Sequence, residues 1–116
     1  MTAPTRNEAI ISGYHAHIYF VESTSDYAAE LRETIVQRFD VEIGRWHDKL
    51  VGPHRRPMYQ VGFSASVFGE FVPWLMVNHG DLAVLIHPRT GDDLPDHTDY
   101  ALWLGERLEL DLSVLL

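Results

Sequence analysis

The chain is 116 residues long, 46% hydrophobic and free of cysteine. That fits one domain with one core, and it excludes a disulfide framework, a cysteine zinc finger and a thiol nucleophile. The formal charge of −8 repels phosphate backbones, so no nucleic-acid partner is expected.

Met1 to Ser12 lacks the basic and apolar regions of a signal peptide. With Thr2, Pro4, Thr5, Asn7 and Glu8 it reads as a loose leader. Residues 1–13 are expected to be flexible, ahead of a single domain over 14–116. No apolar run reaches membrane-spanning length, so no membrane partner is expected and the setting is expected to be cytoplasmic.

Tyr14 to Val21 alternates Ala16, Ile18 and Phe20 with His15, His17 and Tyr19. This predicts a strand with one apolar face and one His/His/Tyr face. Ser23, Thr24 and Ser25 offer caps, and Tyr27, Leu31, Ile35 and Phe39 follow at helical spacing, which predicts an amphipathic helix. Val41 to Leu50 carries a second strand, broken by Gly52 and Pro53. Met58 to Phe63 is a third. Gly69 to His79 reads as a buried helix that either begins near Gly69 or kinks at Pro73. Leu82 to Ile86 is a short, continuously apolar strand ending at His87-Pro88. Pro88 to Gly105 is a long polar segment of the kind that forms lids. Leu108, Leu110, Leu112 and Val114 alternate with polar residues and predict a half-buried C-terminal strand.

The order is βαββαβ, which predicts an α+β ferredoxin-like antiparallel sheet. Two helices cover one face, the first strand lies beside the fourth, and the C-terminal strand is an addition. The other face is left for a site or a partner subunit.

Seven histidines need a role: His15, His17, His47, His54, His79, His87 and His97. Period-2 geometry puts His15 and His17 on one strand face, near enough to serve one ion or one substrate. Two half-exposed strand histidines are the plainer reading. Gly52-Pro53-His54, with Pro57 behind it, fixes backbone around one imidazole, or is simply a turn. His87 leaves the fourth strand beside His15 and His17, on a face that alternation leaves open. Three such ligands on one side of an ion leave positions for substrate and oxygen, which suits non-haem iron. Zinc remains possible on nitrogen chemistry alone. Asp96 beside His97 can orient that imidazole. No nucleophile elbow and no phosphate loop is present.

Taken in order, YHAHIYF, GPH at 52–54, WL at 74–75 before Asn78, and LAVLIHPRTGDDLPDHTDYALWLG from Leu82 to Gly105 resemble the DOPA 4,5-dioxygenase family. The resemblance runs from about Tyr14 to Gly105. His79 departs from the pattern, in which a basic residue follows the asparagine, and no metal role is carried onto it. The resemblance implies an extradiol dioxygenase that opens a catechol such as DOPA with O2, using Fe(II), and a homodimer or larger homo-oligomer. Carried over by position, His17, His54 and His87 are the metal ligands. His15 and His97 serve proton transfer or substrate contact. Tyr100 and Trp103 cover the ring, and Arg89 meets a substrate carboxylate. The competing readings are a non-catalytic ferredoxin-like module binding a small ligand or partner, and a zinc-dependent hydrolase.

Overall fold

A computed structural model describes residues 3–116; residues 1 and 2 of the leader lie outside them. Strand β1 (Tyr14–Tyr19) leads to helix α1 (Ser25–Arg38) and a short strand β2 (Glu42–Ile43). Strand β3 (Met58–Phe63), helix α2 (Ala65–Asn78) and strand β4 (Ala83–Pro88) follow. A single-turn helix α3 (Asp93–His97) and strand β5 (Leu102–Leu104) complete the set. The sheet order is β2-β3-β1-β4-β5, and every neighbouring pair is antiparallel. This is the βαββαβ arrangement with one further strand on the β4 edge.

Alternation in β1 does what its sequence requires. Ala16, Ile18 and Phe20 join Tyr59, Val61, Phe63, Leu82, Val84 and Ile86 in one core. Helices α1 and α2 cover that face through Ala28, Leu31, Ile35, Phe71, Val72 and Leu75. Ile18 is fully buried. Ile18→Ala is expected to lower the unfolding free energy by about 2–5 kcal/mol, measured by urea titration, because lost transfer energy and the cavity add.

Four elements differ from the sequence reading. The α1 stripe is Ala28, Leu31 and Ile35, whereas Tyr27 is exposed and donates its hydroxyl to the Asn78 carbonyl. The second strand is only two residues long. Beyond it, the four-residue advance from Ile43 to His47 faces three on β3, from Val61 to Met58. The extra residue bends the chain out of the ladder. Helix α2 starts at Ala65, so Pro73 is interior to it. Its ring lies on the exposed side, where water can serve the carbonyl it leaves without a donor.

The fourth difference is the C-terminus. The expected strand at 108–114 is not in the sheet; β5, within the supposed lid, takes the free edge of β4. Leu108 and Leu110 still point inward, against Tyr19, Met58, Ala83 and Leu85. The tail thus covers half of the face expected to be open. It is tied there by Asp111 N–H donating to the Pro53 carbonyl at 2.8 Å, and it ends in a 3-10 turn, Leu112–Leu115. Gly105 turns the chain out of β5 with φ +74, and a Cβ there would meet the Leu82 carbonyl oxygen at 2.9 Å. At the other end, the leader residues Ser12 and Gly13 bracket Arg89 in backbone hydrogen bonds. Among the described residues, no helix is long and apolar enough to cross a membrane.

Candidate metal centre

The uncovered half of the second sheet face carries the histidines. Antiparallel register sets His15 opposite His87 across β1 and β4. His17 lies one pleat further along, between Gln60 of β3 and Leu85 of β4. The apolar residues of β4 at 82, 84 and 86 are in the helix-side core, which sends Ala83, Leu85 and His87 to the histidine face. His54 comes from the proline-bounded turn, whose chain reverses through the backbone bond from His54 N–H to the Val51 carbonyl. His97 ends α3.

The five rings close on one another. Ring centroids are 4.1 Å apart for His17 and His54, 5.1 Å for His17 and His87, and 4.1 Å for His87 and His97. His15 stands 5.3 Å from His87. They line a cavity of about 430 Å³ with Ser12, Pro53, Gln60, Arg89, Asp96 and Leu115. Two triples bring one donor atom per residue within 4.8 Å of each other: His15, His17 and His87, and His17, His54 and His97. His54 and His87 fall in different triples, and His17 belongs to both.

Hydrogen bonds fix two tautomers. His87 Nδ1 faces the Pro88 carbonyl at 2.9 Å, and His97 Nδ1 faces the Asp93 carbonyl at 2.7 Å. A carbonyl only accepts, so each Nδ1 carries the proton and each Nε2 turns a lone pair elsewhere. This is how metal-binding imidazoles are commonly held. His17 Nε2 lies 3.0 Å from His87 Nε2, and His17 Nδ1 is buried with no partner. One of those facing nitrogens must carry a proton, or a cation must lie between them. A nitrogen-only donor set with an orphaned buried imidazole atom fits a first-row metal ion. These triples can hold one.

Burial favours the neutral form of four of these rings, His15, His17, His54 and His87. It lowers the His54 pKa to about 4, helped by the nearby His97 and His87. It lowers His87 to about 4 as well, against the opposing bond to Pro88. His15 falls to about 4 through burial and the Arg89 charge, and His17, the most enclosed, falls well below its ordinary value. Neutral imidazole is the form that binds metal.

Not every expected residue is here. Arg89 lines the cavity and forms no ion pair among the described residues. Tyr100, expected over the substrate ring, does not line it. Its hydroxyl accepts from Arg6 at 2.6 Å, and it faces a separate apolar cavity with Phe68, Ile86 and Leu102. Trp103 stacks on Tyr19, with centroids 6.0 Å apart, and borders a neighbouring hollow that it shares with His97. His47 bridges to Met58, and His79 Nδ1 faces the Leu82 carbonyl; neither lines the cavity. Two contributors carry no motif that singles them out in the sequence, Gln60 and Leu115. Period-2 alternation from Met58 could have flagged Gln60. Tyr19, set on the His/His/Tyr face by alternation, brings its hydroxyl to His54 Nδ1 at 2.6 Å.

The model of the Dopa 4,5-dioxygenase family matches residues 14–114. The chain belongs to that family. Similar proteins agree with the assignment. A DOPA 4,5-dioxygenase from Amanita muscaria is 31% identical over 90% of this chain. An uncharacterized 21.2 kDa protein from Botryotinia fuckeliana is 36% identical over 94% of it. The chain spans only 66% of the Botryotinia protein and 50% of the Amanita protein. A crystal structure from Nostoc punctiforme, provisionally described as a dioxygenase, superposes with a TM-score of 0.94 at 47% identity and covers 96% of each chain. Dioxygenase family membership and a buried histidine cluster therefore coincide in one small fold.

Proposed function

We propose that this family member is a non-haem Fe(II) extradiol dioxygenase that opens the ring of a catechol such as DOPA with O2. The observation that carries the reading is the shared cavity of five imidazoles, two of them tautomerically set to offer Nε2. Iron(II), when bound, supplies a Lewis acid that keeps a catecholate and oxygen in contact. In the reaction one ring C–C bond beside a hydroxyl breaks. Both oxygen atoms enter the product, which carries an aldehyde and a carboxylate.

The chain's own residues divide the remaining work. His17 is assigned to holding the ion, either with His15 and His87 or with His54 and His97. The partly exposed His15 and His97 lie on the solvent side of the deeper rings. Whichever of the two is not a ligand is assigned to taking a phenolic proton and returning one. Arg89, which lines the cavity, is assigned to meeting a carboxylate on the substrate. The Tyr100 role is transferred to Leu115 and Gln60, which line the cavity and can bound a ring. A homodimer or larger homo-oligomer is the assembly that accompanies this reading.

The test is anaerobic loading with Fe(II), then catechol, DOPA and air. Oxygen uptake matched to a yellow ring-opened product is expected. Iron-loaded protein that consumes no oxygen with any catechol would overturn the assignment.

A further inference from the structure

Asp96 precedes His97 in α3, lines the histidine cavity and is 2% exposed. Its Oδ2 accepts the Thr90 backbone N–H at 2.9 Å, and its Oδ1 accepts the Thr90 hydroxyl at 2.5 Å. Both oxygens accept, as in an ionised carboxylate. Yet Asp96 has no ion pair among the described residues: no Lys, Arg or His nitrogen lies within 4.0 Å of it. A buried charge without a counter-ion is costly, and proteins seldom keep one without a use.

The cavity suggests the missing partner. The other charged side chains lining it, Arg89 and Asp93, are exposed to water. The five imidazoles are neutral when they bind metal. A divalent ion held by nitrogen alone therefore brings two uncompensated positive charges into a partly buried site. Charge near a bound ion shapes its affinity even without a ligand bond.

We propose that Asp96 is the counter-charge of the metal centre, an electrostatic positioning residue that strengthens cation binding without ligating the ion. This rests on the metal reading above. It has a sign that a purely mechanical role lacks. Without a cation the carboxylate opposes folding; with one it favours the bound state. A mere clamp, tying the end of β4 to α3 through Thr90, would favour folding in both states.

The experiment uses the whole chain with cobalt(II), whose visible absorption reports the nitrogen donors. Affinity is read by chelator competition, and metal-free stability by the thermal midpoint. Asp96→Asn keeps the volume and removes the charge. Its metal-free midpoint is expected to stay or rise, its cobalt affinity to fall about tenfold or more, and its absorption bands to keep their positions. Thr90→Ala keeps the charge and should bind cobalt within about threefold of the parent, because its charge-assisted bond to Asp96 is made with and without the ion and largely cancels from the affinity. An Asp96→Asn protein that fails to fold without metal overturns the proposal, because the proposal requires the opposite. So does cobalt affinity unchanged in Asp96→Asn, or a parallel loss of stability and affinity in both variants. If the parent itself takes up no cobalt, the metal reading fails and this proposal falls with it.

Discussion

His17→Ala abolishes stoichiometric metal binding, with affinity down by more than about 100-fold. Loss of a mere hydrogen-bond partner to a ligand already costs about 10–100-fold, and loss of the ligand exceeds that. His17 is singled out because it is the member common to both candidate triples. His15→Ala and His54→Ala each break only one. Equilibrium dialysis of the three variants against iron(II) or cobalt(II) therefore identifies the working set. If His15→Ala loses metal and His54→Ala retains it, the ion sits with His15, His17 and His87. The converse places it with His17, His54 and His97. Retention of full occupancy by His17→Ala, with circular dichroism showing a folded chain, rules out both triples.

The second large effect is on stability in mild acid. Burial depresses the pKa of His54 and His87 to about 4, against about 6.5 in an unfolded chain. Between those values the unfolded chain binds more protons than the folded one, so stability falls as pH falls. Above about pH 7 both states are neutral there and the dependence vanishes. At pH 5 each of these two groups costs about 2 kcal/mol relative to pH 8. His15 and His17 act in the same direction. The urea midpoint of metal-free protein should be flat from pH 8 to 7 and drop steeply from pH 6.5 to 4.5. A midpoint unchanged down to pH 5 would show that the cluster is not held neutral. Bound metal should protect until protons displace it.

Where the sequence carries a periodic signal, the fold follows it. The two-residue alternation of β1 is enough by itself to assign His15 and His17 to one face. The β3 boundaries, Met58–Phe63, are equally legible. Four things are not. The face of His87 is hidden because LAVLI is apolar on both sides, so alternation carries no contrast. Strand β5, three residues inside a polar segment, is too short to show a period. The alternation of Leu108 and Leu110 correctly marks burial, but burial against a sheet face rather than within a ladder. The grouping of His97 with His17 and His54 needs the turn of α3, which Thr90 and Asp96 fix by a side-chain contact. No local pattern encodes that contact. The family resemblance supplies His97 as a helper, and the geometry gives it a donor position equal to the others.

The C-terminal tail has a practical consequence. Leu115 lines the histidine cavity, so anything fused after Leu116 starts at its mouth. A polyhistidine purification tag placed there delivers additional imidazoles beside the native ones at high effective concentration. Such a protein can bind metal with the wrong stoichiometry and mask the loss of His17. Tags for metal analysis belong at the other terminus, or should be cleaved before the ion is counted.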